Sequence, residues 1–235
     1  METVGVFFDF DGTLSPLNVS REQAGIRNEL AEVLKKLSSR YLLVVASSKD
    51  CHFLLSKAPF FHSYICINGL EILTEGYLLC DVAVTNKHLL SAIEDIRRSA
   101  QMLSRAYIEE KRSLTNITLG LSIDWSDYGE IPEGLVDLLR TARDRGLEVL
   151  EYKLNTFVDI YVSKKDKGVA VKTLRKLLGL DRVVYVGDGE NDIPAFEVSD
   201  TSVLVRHQYN RGLKVEVDYE VPYEELHRWL VSREL

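Results

Sequence analysis

The chain has 235 residues, 46% of them hydrophobic and 28% charged, with a formal net charge of -7. That apolar content suffices for one large domain or a core with a smaller insert. The acidic balance argues against nucleic acid or an anionic membrane surface as the main partner, while leaving room for a local cationic pocket that takes a small anion.

"VGVFF" at 4 to 8 is an apolar run of strand length. It is preceded by no basic segment with a long apolar core, and no stretch has the length of a membrane span, so the expectation is a cytoplasmic protein without signal peptide or transmembrane span. The run ends on Asp9 and Asp11, followed by Gly12 and Thr13. Carboxylates that close repel each other and resist desolvation, so the loop is either solvated or held by a cation. Ser20 and Gln23 fit the S-x-x-Q of a capping box, and Ile26, Leu30, Val33, Leu34 and Leu37 follow at helical spacing. "YLLVVASS" and "SYICIN" are continuous apolar runs, which suit parallel strands covered on both faces. Strand, helix, strand, link, strand is the start of a doubly wound α/β sheet.

The pattern changes after "NGLEILTEGYLL", which reads as a hairpin turning at Glu75-Gly76. Residues 88 to 105 read as a helix with Leu89, Ile93, Ile96, Ala100 and Leu103 on one face. In "TNITLGLSIDW" Ile117, Leu119, Leu121 and Ile123 alternate with Thr118, Gly120, Ser122 and Asp124, the pattern of a half-solvated antiparallel strand. A helix at 133 to 145 and strands at "LEVLEYK" and "TFVDIYV" complete a small α+β section with helices on one side of its sheet. From Gly168 the α/β pattern of the first eighty residues returns: the helix "GVAVKTLRKLLGL" closed by Gly179, the buried strand "RVVYVGDGEND" running into an acidic turn, the short helix "IPAFEVSD" and the strand "TSVLV". The expected organisation is a core of residues 1–82 and 161–235, interrupted by an insert at 83–160.

Cys51, Cys66 and Cys80 are odd in number and lack C-x-x-C spacing, so they read as packing residues in a reducing compartment. The five histidines form no zinc pattern.

Four features fall at the ends of core strands or the starts of helices: "DFDGT" at 9 to 13, "ASSK" at 46 to 49, "DKG" at 166 to 168 and "GDGEND" at 187 to 192. Ligands of open α/β sheets bind outside those strand ends, so the four should converge. Taken singly each has an ordinary explanation in turn formation or helix capping; their order along the chain is the informative feature. Convergence gathers Asp9, Asp11, Asp188 and Asp192 beside the positive charge of Lys167 and Lys49. Oxygen ligands without a soft partner suit a hard ion, Mg²⁺ completed by water and a phosphate oxygen.

These four stretches resemble the motifs of the haloacid dehalogenase superfamily of phosphotransferases, in which D-x-D-G-T, a Ser or Thr ending a strand, a lysine and G-D-x-x-N-D occur in this order. The resemblance covers nearly the whole chain and implies a Rossmann-like core with a mostly parallel sheet. The insert is similar to the C2B cap of subfamily IIB, which includes sugar-phosphate phosphatases. The resemblance implies that Asp9 is the nucleophile of an aspartyl-phosphate mechanism and that Asp11 is the general acid and base. It implies Mg²⁺ held by Asp9, the carbonyl of Asp11 and Asp188, with Asp192 close or bridged by water. Gly12, Ser47, Lys167 and Asn191 would serve the phosphate, Asn191 by orienting the lysine or an acidic side chain. Ser48 competes with Ser47, and Lys164 and Lys165 compete with Lys167.

"DGTLSPL" and the insert's "YIEEKRSLTNITL" resemble segments of the trehalose-6-phosphate phosphatase branch, which would put Glu109 and Lys111 over a sugar. That branch usually reads G-D-D-x-T-D in its fourth motif. "GDGENDIPAF" is nearer to mannosyl-3-phosphoglycerate, sucrose-phosphate and broad sugar-phosphate or phosphoglycolate phosphatases. A phosphomutase shares this active site. A receiver-like signalling module shares the acid cluster but lacks the second aspartate and a large cap. The implied partner is a small sugar phosphate; the oligomeric state is left open.

Overall fold

The computed structural model describes residues 2–17 and 19–233. In chain order the elements are β1 (Val4–Phe8), α1 (Asn28–Leu37), β2 (Leu42–Ala46), α2 (Cys51–Lys57), β3 (Ser63–Cys66), β4 (Glu71–Thr74), β5 (Tyr77–Cys80), α3 (Lys87–Ala100), β6 (Tyr107–Arg112), β7 (Thr118–Asp124), α4 (Leu135–Asp144), β8 (Glu148–Glu151), β9 (Phe157–Tyr161), α5 (Lys167–Leu178), β10 (Arg182–Gly187), α6 (Ile193–Phe196), β11 (Thr201–Arg206), β12 (Tyr219–Pro222) and α7 (Leu226–Ser232). The chain divides into two compact units, Met1–Leu79 with Lys165–Leu235, and Cys80–Lys164.

The first unit is built on a sheet of order β12-β11-β10-β1-β2-β3-β4-β5. The pairings from β12 through β3 are parallel, and β3 pairs with β4 antiparallel. The apolar runs are continuous because both faces are covered. Phe7, Val44, Ala46, Tyr185 and Leu204 lie in one cluster with Val171 and Leu174 of α5 and Phe196 of α6. The alternate residues Val6, Phe8, Leu43 and Val45 are equally buried. Gly5 lets Leu180 pack close against β1, since a Cβ there would stand 2.6 Å from Leu180 Cδ1. The β4–β5 hairpin turns at Glu75 and Gly76, both with positive φ, the backbone of a type I′ turn.

Two expectations for this unit are corrected. The Ser20–Gln23 capping box exists, with Gln23 N donating to Ser20 Oγ at 3.3 Å and Ser20 N donating to Gln23 Oε1 at 3.4 Å. It closes a single turn, however, and α1 begins only at Asn28, leaving Ile26 outside the helix. Secondly, Cys51 and Cys66 are not separate thiols but form a disulfide, with Cα atoms 5.3 Å apart. The crossover through α2 returns the first residue of that helix to the end of β3, a proximity that spacing along the chain does not disclose.

The second unit is an antiparallel sheet of order β6-β7-β9-β8. Leu119, Leu121, Ile123, Val158 and Ile160 are buried, as are Ile93 and Ile96 of α3, which packs on β7. The helix expected to Arg105 ends at Ala100. β7 is also not half-solvated, since Thr118, Gly120 and Ser122 are buried. Ser122 Oγ donates to Asp159, and Gly120 lies under the Tyr161 ring, where a Cβ would meet Tyr161 Cδ1 at 2.5 Å. Alternation therefore marks a change of chemistry between the two faces, not of exposure.

Candidate active site

Asp9 follows β1 directly, its N–H donating to Val186 O at 2.9 Å, and the residue is 5% exposed. The chain then turns sharply at Gly12, which has φ 79°. A Cβ at that glycine would lie 2.3 Å from Asp188 Oδ2, so both backbone and contact exclude a side chain. The turn brings buried Thr13 to Asp188, with Oγ1 donating to Oδ1 at 3.3 Å. Asp11 is the open member of the pair: its side chain retains 34% exposure and stands 3.5 Å from Lys49 Nζ.

Lys167 is the first residue of α5, placed there because Asp166 caps the helix by accepting from Val169 N at 2.8 Å. Its ammonium is fully buried and donates to Asp9 Oδ1 at 2.6 Å and to Asp192 Oδ1 at 2.7 Å. Gly168 permits this approach, because a Cβ would meet Pro194 O at 2.2 Å. Tyr185 OH donates to Asp192 Oδ1 at 2.7 Å, while the amides of Asp188 and Gly189 each donate to Asp192 Oδ2 at 2.9 Å. Four donors occupy the lone pairs of one carboxylate. Asp192 thereby shapes the Asp188 turn and holds Lys167, the role expected of Asn191. Asn191 itself is half-buried on the same turn.

Ligand-capable oxygens of Asp9, Asp188 and Asp192 lie within 4.8 Å of one another. Burial raises the Asp9 carboxyl well above its ordinary value; Lys167 opposes this, and Asp192 and Asp188 reinforce it. Asp188 is raised to about 8, first by burial and then by Asp192, against the pull of Lys167. Desolvation lowers Lys167, but the attraction of Asp192 and Asp9 outweighs it, so the ammonium is held above its usual range and stays charged. With the oxygens of Asp192 filled, Asp9 and Asp188 share one ammonium in a buried site, where their charge calls for protons or a cation, and oxygen donors of that kind fit a hard divalent cation.

Ser47 is 1% exposed at the end of β2, and its Oγ accepts from Lys49 N at 3.2 Å, whereas Ser48 is half-buried. Three participants were not anticipated. Tyr185 reads in sequence as one more apolar strand residue. His207 and Asn210 follow β11: His207 Nε2 is 2.8 Å from Asp188 Oδ2, and Asn210 Nδ2 donates to Asp188 O at 2.9 Å. Burial, and secondarily Arg206, lowers His207 below the ordinary imidazole value. A turn polar along its length carries no signal that would single these two out.

In the second unit Glu109 and Lys111 lie two residues apart on β6, hence on one face. Lys111 Nζ is 3.0 Å from Glu109 Oε2, and the two side chains are 1% and 13% exposed. The register places Glu109 across from Ser122 and Ser122 across from Asp159. Asp159 accepts from Ser122 Oγ and, at 2.8 Å, from Tyr152 OH. This sheet therefore opposes a polar row of acid, amine and hydroxyl groups to the apolar face on its helices. Asp159 sits in the apolar-looking "TFVDIYV", and only the register connects it with Glu109.

The sequence profile of the trehalose-phosphatase family matches residues 7–220. Trehalose-phosphate phosphatase B of Arabidopsis thaliana is 25% identical over 224 residues, which cover 82% of this chain and 55% of that protein. The chain spans 55–64% of the length of the three curated plant relatives it matches. Among solved structures, a trehalose-6-phosphate phosphatase related protein is similar with a TM-score of 0.76 at 18% identity, covering 97% of this chain and 96% of that one. A sugar phosphatase of haloacid dehalogenase subclass IIB is similar with a TM-score of 0.68 at 17% identity, with 98% of each chain covered. Both show the fold: a mostly parallel α/β core with a separate antiparallel sheet.

Proposed function

The chain belongs to the trehalose-phosphatase family, and on that premise we propose that it is a Mg²⁺-dependent phosphomonoesterase of sugar phosphates, with trehalose 6-phosphate as the first substrate. The observation that carries the reading is the buried Lys167 bonded at once to Asp9 and Asp192 beside Asp188. It fixes one oxygen of Asp9 and concentrates acid groups that call for a cation.

Asp9 attacks phosphorus, and the bond to the leaving alcohol breaks, giving an aspartyl-phosphate that water then hydrolyses. Asp11 gives its proton to the departing oxygen and later takes one from the attacking water. Its exposure and its neighbour Lys49 suit a group that must exchange protons and then carry charge. Asp9, Asp188 and the carbonyl of Asp11 would hold Mg²⁺, which would supply neutralising charge where an anionic nucleophile meets an anionic substrate. Asp192, already saturated by four donors, holds the lysine and the turn. Lys167 and Ser47 serve the phosphoryl oxygens. In the second unit Glu109 and Lys111, with Asp159 in the same row, read sugar hydroxyls. The form "GDGEND" favours mannosyl-3-phosphoglycerate or another sugar phosphate as a second reading of the substrate.

Phosphate release from trehalose 6-phosphate and a panel of sugar phosphates, with Mg²⁺ and with EDTA, tests this directly. Activity should require the metal. Asp9→Asn should abolish it, and Asp11→Asn should lower it on the order of 10²–10⁴-fold. Full activity in EDTA, or near-normal rates for Asp9→Asn, would overturn the mechanism. Phosphate release that starts only on adding a sugar bisphosphate would point to a mutase.

A further inference from the structure

We propose that His207 and Asn210 form a clasp that positions Asp188 for the divalent cation, an inference that rests on the reading of Asp9 and Asp188 as cation ligands. Neither residue belongs to a motif that marks the site. The turn after β11 delivers both. His207 N donates to Asn210 Oδ1 at 3.0 Å, and Asn210 Nδ2 donates to Val205 O at 2.7 Å and to Asp188 O at 2.9 Å. Asn210 is 5% exposed and thus ties the end of β11 to the turn after β10 inside the protein.

The imidazole completes the clasp. Tyr209 N donates to His207 Nδ1 at 3.2 Å, so Nδ1 is the accepting nitrogen and the ring proton resides on Nε2. That proton is aimed at Asp188 Oδ2, 2.8 Å away. With Thr13 Oγ1 on Oδ1 and Asp192 Oδ2 accepting from the Asp188 amide, every polar atom of Asp188 has a partner. This matters because Asp188 stands within 4.8 Å of two other carboxylates. Repulsion would otherwise rotate it away from them, and a ligand that must first be turned back binds its cation more weakly. A neutral N–H donor leaves lone pairs on both carboxylate oxygens and brings no positive charge to compete with the metal. Donors of this kind behind metal-binding carboxylates typically account for 10–100-fold in affinity.

The test is Mn²⁺ binding to the full chain by titration calorimetry, which needs no turnover. His207→Ala should weaken Mn²⁺ binding about ten-fold or more. His207→Phe, which keeps ring volume and removes the donor, should do the same and guards against a folding defect in the alanine variant. His207→Gln, whose amide nitrogen can take the place of Nε2, should recover most of the affinity. Gln208→Ala, an exposed neighbour, should bind as the unaltered chain does, and Asp188→Asn should abolish binding. Unchanged affinity in His207→Ala or His207→Phe, while Asp188→Asn abolishes binding, would overturn the clasp alone. A His207→Gln variant as weak as His207→Ala would overturn the donor's role. No Mn²⁺ binding by the unaltered chain would overturn the cation reading itself, and the clasp with it.

Discussion

Asp188→Asn should make the metal-free protein more stable at pH 8, although it removes a residue assigned to the chemistry. Burial and Asp192 raise the Asp188 carboxyl from 3.8 to about 8. The folded chain therefore retains a proton that the unfolded chain has released between about pH 4 and pH 8. Where the unfolded state binds fewer protons, stability falls as pH rises, so the penalty accumulates across that window and is absent below it. A displacement of this size corresponds to about 6 kcal/mol as an upper limit. The donors Thr13 and His207 already offset part of the burial, and an asparagine oxygen can still accept from His207 while its amide donates to the Thr13 hydroxyl. A measured gain of about 1–3 kcal/mol is expected at pH 8, the scale of one desolvated polar group. The assay is urea denaturation in EDTA at pH 4, 6 and 8. The two proteins should coincide at pH 4 and diverge as pH rises, with the variant the more stable. Saturating Mg²⁺ at pH 8 should stabilise the unaltered protein and leave the variant where it was. A variant less stable than the parent at pH 8 without metal would refute the reasoning, because Asp188 would then be a net stabilising anion.

Lys167→Met removes the ammonium bonded to buried Asp9 and Asp192, and the variant's fold stability at pH 7 should drop by about 3–5 kcal/mol; a loss under about 1 kcal/mol by denaturant titration would mean that these groups are not ionised. Glu109→Ala and Lys111→Ala should lower kcat/KM for the sugar substrate about ten-fold, one lost hydrogen bond each, and leave p-nitrophenyl phosphate hydrolysis nearly unchanged. Equal losses on both substrates would assign these two residues to the fold. Cys51→Ser opens a loop of sequence separation 15 and should destabilise by about 3 kcal/mol. An unchanged urea midpoint in the reduced protein would contradict this.

The sequence alone determined the local and the periodic. Continuous apolar runs announced the parallel strands, Glu75-Gly76 announced its hairpin, and the change of pattern marked an inserted section, because strand burial, turn chemistry and period are properties of neighbouring residues. The positions of Asp9, Asp11, Lys167, Asp188 and Asp192 were legible for the same reason: each ends a run or starts one. Tertiary structure decided which of them meet and what each is free to do. Asp192 reads as one more acidic ligand, yet four donors from β10, its following turn and α5 fill its oxygens. Tyr185, His207 and Asn210 enter the site through strand adjacency, since β10 lies between β1 and β11 in the sheet, although β1 is far from both in the chain. Asp159 joins Glu109 only through the β6-β7-β9 register, and Cys51 finds Cys66 only because α2 folds back on β3. A hydrogen bond or a disulfide is decided by a few ångströms between residues distant in sequence, and the packing of the whole sheet sets that distance.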